Sequence, residues 1–279
     1  MVSLPALPGF SPRYRPGGIL ITTDPLSIGD FVFNSRLFVG TGRHRTPDEL
    51  ISSLDASGAE VVTVAIRRLN LDQPNEPTIL DLISPEKYTI LPNTAGCATA
   101  EEAILTAKLA REVTGSSWIK LEVIPDKKWL LPDPIGTFEA ASKLIDLGFS
   151  VLPYIHADPV LAKKLEDIGC STVMPLGSSI GSGQGILTID EIKIIIESSN
   201  VPVVVDAGIG VPSEASQALE LGADAVLINT AIAQSSDPIS MGEGFKLGVQ
   251  AGRKAYLAGR MQKSKSANPS SPEENKITT

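Results

Sequence analysis

A lysine and a glutamate stand two residues apart in an apolar, β-forming segment, Trp118-Ile-Lys-Leu-Glu-Val123. Side chains alternate between the two faces of a β-strand, so Lys120 and Glu122 share one face. Desolvation disfavours the charged form of a lysine, and a neutral amine can attack a carbonyl carbon to form a Schiff base. A carboxylate on the same face can move protons at the imine. The alternative is a buried structural ion pair between Lys120 and Glu122.

A second carboxylate lies near the end of another apolar segment, Val201–Ala207. If Val203 and Val205 face outer helices, Asp206 faces the same interior as Lys120. Catalytic residues of α/β barrels come from the C-terminal ends of strands, which is where Asp206 stands. Two carboxylates placed around one imine suit repeated proton transfers. The alternative is that Asp206 caps the following loop or helix.

Three loops rich in small residues follow consecutive apolar segments: Ile180–Gly185, Ala207–Gly210 and Asn229–Ala231. Glycine lets backbone N–H groups approach an anion closely, and Asn229 and Thr230 add side-chain donors. Barrels often hold a phosphate group with the loops after the seventh and eighth strands. The loops therefore predict a phosphate site beside the lysine, with tight turns that need glycine for geometry alone as the alternative.

The chain supplies alternating strand and helix patterns that could position these residues. The strand candidates are mostly apolar, as strands covered by helices should be; they are Leu37–Val39, Val61–Ala65, Tyr88–Leu91, Trp118–Val123, Ser150–Tyr154, Thr172–Pro175, Val201–Ala207 and Ala225–Ile228. The clearest helices start at a capping residue or a proline, and most of them end at a glycine; they are Thr99–Val113, Pro134–Leu147, Pro159–Ile168, Pro212–Leu221 and Pro238–Ala258.

This alternation predicts an α/β fold, a (β/α)8 TIM barrel, as a single domain over residues 29–262. An open, doubly wound sheet is the competing architecture, but no G-x-G-x-x-G motif follows the first strand. Residues 1–28 are rich in proline and glycine, and residues 263–279 are polar and rich in proline and serine. Both are expected to be flexible extensions outside the barrel.

Composition narrows the classes of function. A net charge of −8 makes nucleic acid a poor partner. The sequence contains no run of about 18 apolar residues, so it predicts no membrane span. The first residues lack the pattern of a secretory signal. The two cysteines, Cys97 and Cys170, form no disulfide framework, so a reducing, cytoplasmic location is expected. The two histidines, His44 and His156, lack the companions that a metal site needs.

Several motifs occur in an order that is specific as a set: Asn34–Gly42, Leu91–Cys97, Trp118–Ile124, Val173–Gly177, Ile180–Gly183, Val205–Gly210 and Gly222–Ala231. With these motifs the chain resembles the thiazole synthases of the bacterial and plastid type. These are Schiff-base-forming barrels that build the thiazole phosphate of thiamin. The resemblance covers about residues 29–262.

The resemblance implies a role for each matching residue. Lys120 would form an imine with 1-deoxy-D-xylulose 5-phosphate, and Glu122 and Asp206 would be the acid and base groups. The contacts to the sugar phosphate would come from Gly181, Ala207, Gly208, Asn229 and Thr230. The activity implied is a sulfur transferase, and the resemblance implies no metal ion and no organic cofactor for this subunit.

The resemblance also implies partners. Sulfur would come from the C-terminal thiocarboxylate of a ubiquitin-like sulfur-carrier protein. Dehydroglycine (2-iminoacetate) would come from a separate enzyme, and the chain would form a homotetramer.

The sequence departs from the family pattern at three places. Arg43 and His44 stand where the family usually has a lysine and an aromatic residue, Ala98 stands where arginine is common, and Ser179 stands where proline is common. These departures affect fine contacts or subunit surfaces rather than the imine chemistry. Two other functions remain open: a class I aldolase-like Schiff-base barrel acting on another phosphosugar, and a non-enzymatic barrel that binds the sulfur carrier or a phosphorylated metabolite.

Overall fold

The computed structural model describes residues 24–69 and 78–270 of the chain. Within these residues the strands are β1 (Leu26–Ile28), β2 (Phe31–Phe33), β3 (Leu37–Gly40), β4 (Val61–Ala65), β5 (Thr89–Asn93), β6 (Trp118–Leu121), β7 (Ser150–Ile155), β8 (Met174–Pro175), β9 (Val204–Asp206) and β10 (Ala225–Ile228). The helices are α1 (Pro47–Ser57), α2 (Ile79–Leu82), α3 (Ala100–Thr114), α4 (Pro134–Asp146), α5 (Pro159–Asp167), α6 (Ile189–Ser198), α7 (Pro212–Leu221), α8 (Thr230–Ala233) and α9 (Pro238–Ala258). A single 3₁₀ turn, Ile66–Arg68, follows β4 in the same described part.

Local sequence signals explain where many of these helices begin and end. Side chains of Thr46, Thr99 and Asp158 accept hydrogen bonds from backbone N–H groups in the first turns of α1, α3 and α5. Proline occupies the first turn of α1, α4, α5, α7 and α9, where its missing N–H group costs nothing. Glycines in the left-handed conformation end α1 and α3, at Gly58 and Gly115. These signals set the lengths of the crossovers between strands.

The parallel strands close into a barrel. In the described part of the chain eight strands pair in the order β8-β7-β6-β5-β4-β3-β10-β9, and every neighbouring pair is parallel. The two outer strands of that order are joined by bridges between Val173 and Val203 and between Leu176 and Asp206. The predicted TIM barrel is therefore confirmed, and the open doubly wound sheet is wrong.

Alternation along the strands divides the apolar residues into an outer and an inner core. Ile119 and Leu121 of β6 belong to the outer core with Ala140 and Leu144 of α4, whereas Trp118 belongs to the inner core. This confirms the predicted facing of the segment that carries Lys120.

An antiparallel hairpin of β1 and β2 covers the N-terminal end of the barrel. Leu26, Ile28 and Phe33 are at most 4% exposed and share the inner core with Trp118. The ring centroids of Phe33 and Trp118 lie 5.8 Å apart. The hairpin, which is not one of the barrel strands, thus contributes three apolar side chains to the inner core.

This hairpin begins within the segment that the sequence analysis treats as an N-terminal extension. Strand β1 spans residues that the sequence assigns to the N-terminal extension, because the surrounding prolines and glycines conceal a short apolar strand. Residues 1–23 of that extension and residues 271–279 of the predicted tail lie outside the described residues. Residues 263–270 form neither helix nor strand and are exposed.

Three strands are shorter than the sequence predicts. Strand β6 ends at Leu121, so Glu122 follows the strand directly. Strand β9 covers only Val204–Asp206, because Pro202 has no N–H group to donate to the ladder and Ala207 turns the chain with a φ of 73°. Strand β8 is reduced to Met174–Pro175, although Val173 still hydrogen-bonds across to Pro202 at 3.1 Å. As a result, β9 ends at Asp206 and β6 ends one residue before Glu122.

Candidate active site

A cavity of about 850 Å³ opens at the C-terminal ends of the strands. All of the site residues predicted from the sequence line it: Lys120, Glu122, Gly181, Asp206, Ala207, Gly208, Asn229 and Thr230. They come from four different strand ends and are far apart along the chain. The fold therefore brings together the predicted lysine, both predicted carboxylates and the predicted phosphate loops.

Lys120 forms a buried ion triad with the two carboxylates. Its Nζ atom lies 2.6 Å from Oδ2 of Asp206 and 3.3 Å from Oε1 of Glu122. Lys120 and Glu122 are each 5% exposed, and Asp206 is 3% exposed. The triad thus holds one basic and two acidic side chains in the cavity. Both carboxylates are close enough to Lys120 to exchange protons with it directly.

The electrostatics of the triad differ from the simple expectation of a neutral lysine. Burial by itself lowers the pKa of the Lys120 ammonium, but the charges of Asp206 and Glu122 outweigh burial and raise that pKa above its usual value. Burial also raises the pKa of Asp206, against the lowering effect of Lys120. These directions favour the ammonium form of Lys120 in the resting site, with Asp206 as the nearest proton acceptor at 2.6 Å.

Thr94 holds the backbone of Glu122 in place. The Thr94 hydroxyl donates to the Glu122 carbonyl oxygen at 2.8 Å and accepts from the Glu122 N–H group at 2.8 Å. Thr94 is fully buried and follows the end of β5, while Glu122 follows the end of β6. The Thr94 side chain thus extends the hydrogen bonding between β5 and β6 by one residue, although both strands have already ended. The polar residue directly after an apolar strand is the signal that could have identified Thr94.

The turn after Asp206 is built from two left-handed residues. Ala207 has a φ of 73° and Gly208 a φ of 81°. A Cβ atom on Gly208 would lie 2.0 Å from Oγ of Ser178, so only glycine fits there. The Ala207 carbonyl accepts from the Gly177 N–H group at 3.3 Å. This turn sets the direction of Asp206 and packs two of the predicted phosphate loops against each other.

The three glycine-rich loops meet on one side of the cavity. The Gly185 N–H group donates to the Gly208 carbonyl at 2.9 Å, which joins the first loop to the second. Gly181, with a φ of 71°, lies beside Thr230 of the third loop, whose Oγ1 atom is 3.8 Å from the position of a Cβ on Gly181. Backbone donors from three loops can therefore converge on one anionic group.

The side chain of Asn229 serves the protein itself. In the amide orientation that satisfies both of its ends, the Asn229 nitrogen donates to the carbonyl oxygens of Gly42 at 2.8 Å and Gly40 at 3.2 Å. It thereby ties the end of β10 to the loop after β3. This side-chain donor, expected to face a phosphate, is already engaged, so an anion at this loop would meet other groups.

Sequence reasoning missed a set of cations at the cavity. Arg43, Arg68 and Lys127 line it and are exposed. Two of the departures from the family pattern are also found at or near this rim: Ala98 lines the cavity, while Nε2 of His44 lies 3.0 Å from Oγ of Ser53. The basic residues after the first two barrel strands were the available signal.

Two further searches bear on the function. Among residues 24–69 and 78–270, no three histidine, cysteine, aspartate or glutamate side chains are grouped so as to hold a metal ion. None of the helices in this part of the chain is both long and apolar enough to cross a membrane.

Comparison with known families decides the relationship. The family model described as thiazole biosynthesis protein ThiG matches residues 27–272. The chain belongs to this family. The thiazole synthase of Prochlorococcus marinus strain MIT 9312 is 57% identical over 256 residues, which cover 90% of this chain and 97% of that protein. The thiazole synthase of strain MIT 9515 is 58% identical over 253 residues, covering 88% and 95%.

A solved structure agrees with the family assignment. The structure of the BexX/CysO complex of Amycolatopsis orientalis has a TM-score of 0.77 and 31% sequence identity to this chain. The match covers 86% of this chain and 98% of the other. The predictions of the thiazole synthase family, of an enzyme and of its barrel fold are confirmed.

Proposed function

We propose that this ThiG-family barrel makes a thiazole phosphate from 1-deoxy-D-xylulose 5-phosphate, dehydroglycine and the sulfur of a thiocarboxylated carrier protein. Lys120 forms the covalent link to the sugar. The observation that supports this most is a buried lysine paired with two carboxylates, at 2.6 and 3.3 Å, beside three converging glycine-rich loops. The lysine and the loops together match a ligand that carries both a carbonyl and a phosphate.

Imine formation begins with a proton transfer inside the triad. Lys120 gives a proton to Asp206, whose pKa is raised by burial, and the free amine attacks the ketone carbon. The carbonyl oxygen takes up protons and leaves as water, while the nitrogen lone pair forms the C=N bond. Asp206 returns to its ionised form at the end of this step. Two neighbouring carboxylates make the proton transfers possible without bulk water.

The imine then allows the sugar carbonyl to migrate. A carboxylate removes a proton from the carbon next to the imine, and the electron pair is delocalised into the C=N bond as an enamine. Return of a proton at a different atom moves the carbonyl along the carbon chain. Glu122 and Asp206 approach Lys120 from two different strand ends, so one can act as base while the other acts as acid.

The phosphate group is assigned to the glycine-rich loops. Gly181, Ala207 and Gly208 line the cavity in the left-handed conformation, which is typical of backbone turns that bind anions through their N–H groups. Thr230 adds a hydroxyl beside Gly181. Because Asn229 uses its side-chain nitrogen within the protein, we assign its contribution to its backbone.

The remaining reactants account for the size of the cavity. A volume of about 850 Å³ is larger than one five-carbon sugar phosphate requires and leaves room for an imino acid and a peptide terminus. The relative BexX was solved in a complex with CysO, which supports a protein partner that binds at the barrel. The separate source of dehydroglycine, the homotetramer and the cytoplasmic location stay predictions.

Borohydride trapping tests the covalent step. Incubation with deoxyxylulose phosphate and sodium borohydride should add a stable mass to the peptide that contains Lys120, because reduction converts the imine to an amine that cannot hydrolyse. The matched control is Lys120→Arg, which keeps the positive charge but forms no adduct. Lys163, an exposed lysine, should stay unmodified in the same digest.

An unmodified Lys120 peptide, in folded protein with a working trapping control, would contradict the Schiff-base mechanism. An adduct followed by carbon–carbon cleavage without any need for a sulfur donor would instead support the class I aldolase-like function.

A further inference from the structure

Tyr154 is a large, fully buried side chain beside the reacting lysine. It belongs to β7, is 0% exposed, and its ring centroid lies 5.6 Å from Nζ of Lys120. Ile124 and Ile180, which line the cavity, pack in the same apolar cluster as the ring. The tyrosine therefore stands behind the cavity wall, where it can act on the catalytic groups without touching the substrate.

One buried polar atom at this centre has no hydrogen-bond partner, and a second depends on Lys120 alone. Among the described residues, the Tyr154 hydroxyl has none, and Oδ2 of Asp206 has only its ion-pair contact with Lys120 at 2.6 Å. A buried hydroxyl without a partner costs free energy, so its presence requires an explanation. One of the two atoms is a donor and the other an acceptor.

The phenol stays a donor throughout the working pH range. Burial raises the pKa of Tyr154, and the charges of Asp206 and Glu122 raise it further. These two carboxylates and Lys120 are the charged groups that act on the ring, whereas Leu176 and its other cluster neighbours are apolar. The hydroxyl can therefore offer a proton in a hydrogen bond but cannot act as a base.

We infer that Tyr154 is a positioning residue whose hydroxyl donates to the Asp206 carboxylate when Lys120 leaves the ion pair to bond with the substrate. The inference rests on the proposed Schiff base. Once a carboxylate has converted the protonated imine to a neutral enamine, the ionised Asp206 carboxylate has no cationic partner inside a buried site. A donor from Tyr154 then keeps Asp206 ionised and oriented to remove the next proton.

Tyr154→Phe tests the inference because it deletes only the donor and keeps the ring. Turnover should fall by about 10-fold to 100-fold, the usual range for a hydrogen bond to a charged group. The KM for the sugar phosphate should stay unchanged, since the phenol does not touch the ligand. The acidic limb of the pH profile of kcat should move to higher pH, because a carboxylate without its donor holds a proton more tightly.

Stability gives an independent readout that a merely structural tyrosine would not produce. The Tyr154→Phe protein should unfold at the same temperature as the wild type or higher, because the deleted hydroxyl has no partner in the resting state. Tyr88→Phe is the matched control: the Tyr88 hydroxyl is hydrogen-bonded to Asp55 far from the triad, so this variant should lose stability and keep its turnover.

A folded Tyr154→Phe protein with wild-type kcat and an unshifted acidic limb would overturn the inference. So would a protein that fails to fold or melts well below the wild type, because the hydroxyl would then serve the resting structure. Borohydride trapping of the wild type separates this failure from that of the proposed function. If the wild type forms the Lys120 adduct, the Schiff base stands whatever the variant does.

Discussion

At the scale of single residues, the site depends on an unequal balance of buried charge. Lys120 faces two carboxylates, so the triad carries one more negative charge than positive. Burial raises the pKa of Asp206, and Lys120 opposes that rise more than Glu122 adds to it. The two carboxylates together raise the pKa of the Lys120 ammonium against the effect of its burial. The sequence could predict which residues share the interior, but not this balance, because the distances between Lys120 and the carboxylates are set by strand pairing.

Neutralising one carboxylate should impair chemistry more than folding. Glu122→Gln or Asp206→Asn leaves one lysine and one carboxylate, a balanced pair, so we expect unfolding temperatures close to that of the wild type. Turnover should fall by about 10²-fold to 10⁴-fold, the usual contribution of a positioned acid or base. Steady-state kinetics and thermal melts on the same preparations measure both quantities. Full activity in both variants would show that the acid–base assignment is wrong, and unfolding would favour the purely structural ion network.

At the scale of elements, a proline at the start and a glycine after the end predicted α4, α5, α7 and α9, whereas α1, which has the same signals, was not among the predicted helices. Helix α6 was not predicted, because its run of Ile192, Ile194, Ile195 and Ile196 favours a strand by β-branching. Packing of Ile192 and Ile195 into the outer core outweighs that preference. The hairpin of β1 and β2 was not predicted either, because its short strands lie close to a proline-rich stretch that is typical of irregular structure.

A partly buried charge cluster attaches the start of this hairpin to the barrel. Asp24 binds Arg253 of α9 through Oδ2 at 2.7 Å and Arg36, which precedes β3, through Oδ1 at 3.0 Å. The hydrogen bond from Arg253, opposed by partial burial and assisted by the charge of Arg36, holds the pKa of Asp24 below its usual 3.8. A lowered pKa in the folded state means that the pair stabilises the fold above about pH 4 and that this stabilisation is lost as pH falls.

Asp24→Asn should therefore destabilise the protein by about 1–2 kcal/mol at pH 7, a value reduced for the partial exposure of the carboxylate. The difference from the wild type should shrink as pH falls below 3.8 through the lowered pKa of Asp24. Urea unfolding at a series of pH values measures it. Asp30→Asn, in the turn between β1 and β2, is a control in the same hairpin. A pH-independent difference would show that the carboxylate charge is not the cause.

At the scale of the whole molecule, the two thiols report on opening of the barrel. Cys97 is 0% and Cys170 2% exposed. Burial raises the pKa of the Cys170 thiol to about 12. Cys97 and Cys170 lie in the outer core between strands and helices, so a reagent reaches them only when these layers separate.

A thiol reagent such as 5,5′-dithiobis(2-nitrobenzoate) should therefore leave native protein unmodified at pH 8. In denaturant both thiols should react within the mixing time, because the unfolded chain restores ordinary exposure and pKa values. Absorbance of the released product follows the reaction. Rapid labelling of Cys170 in native protein would reveal local opening near the start of β8.

The barrel is closed at one end and open at the other, and this has a kinetic consequence. The hairpin residues Leu26, Ile28 and Phe33 fill the bottom, so every reactant and product must pass through the same mouth. A protein partner docked on that rim would obstruct the passage of small molecules. We therefore expect an ordered mechanism. The sugar binds first and stays covalently attached, and the protein that donates sulfur binds second. That protein dissociates before the heterocyclic product is released.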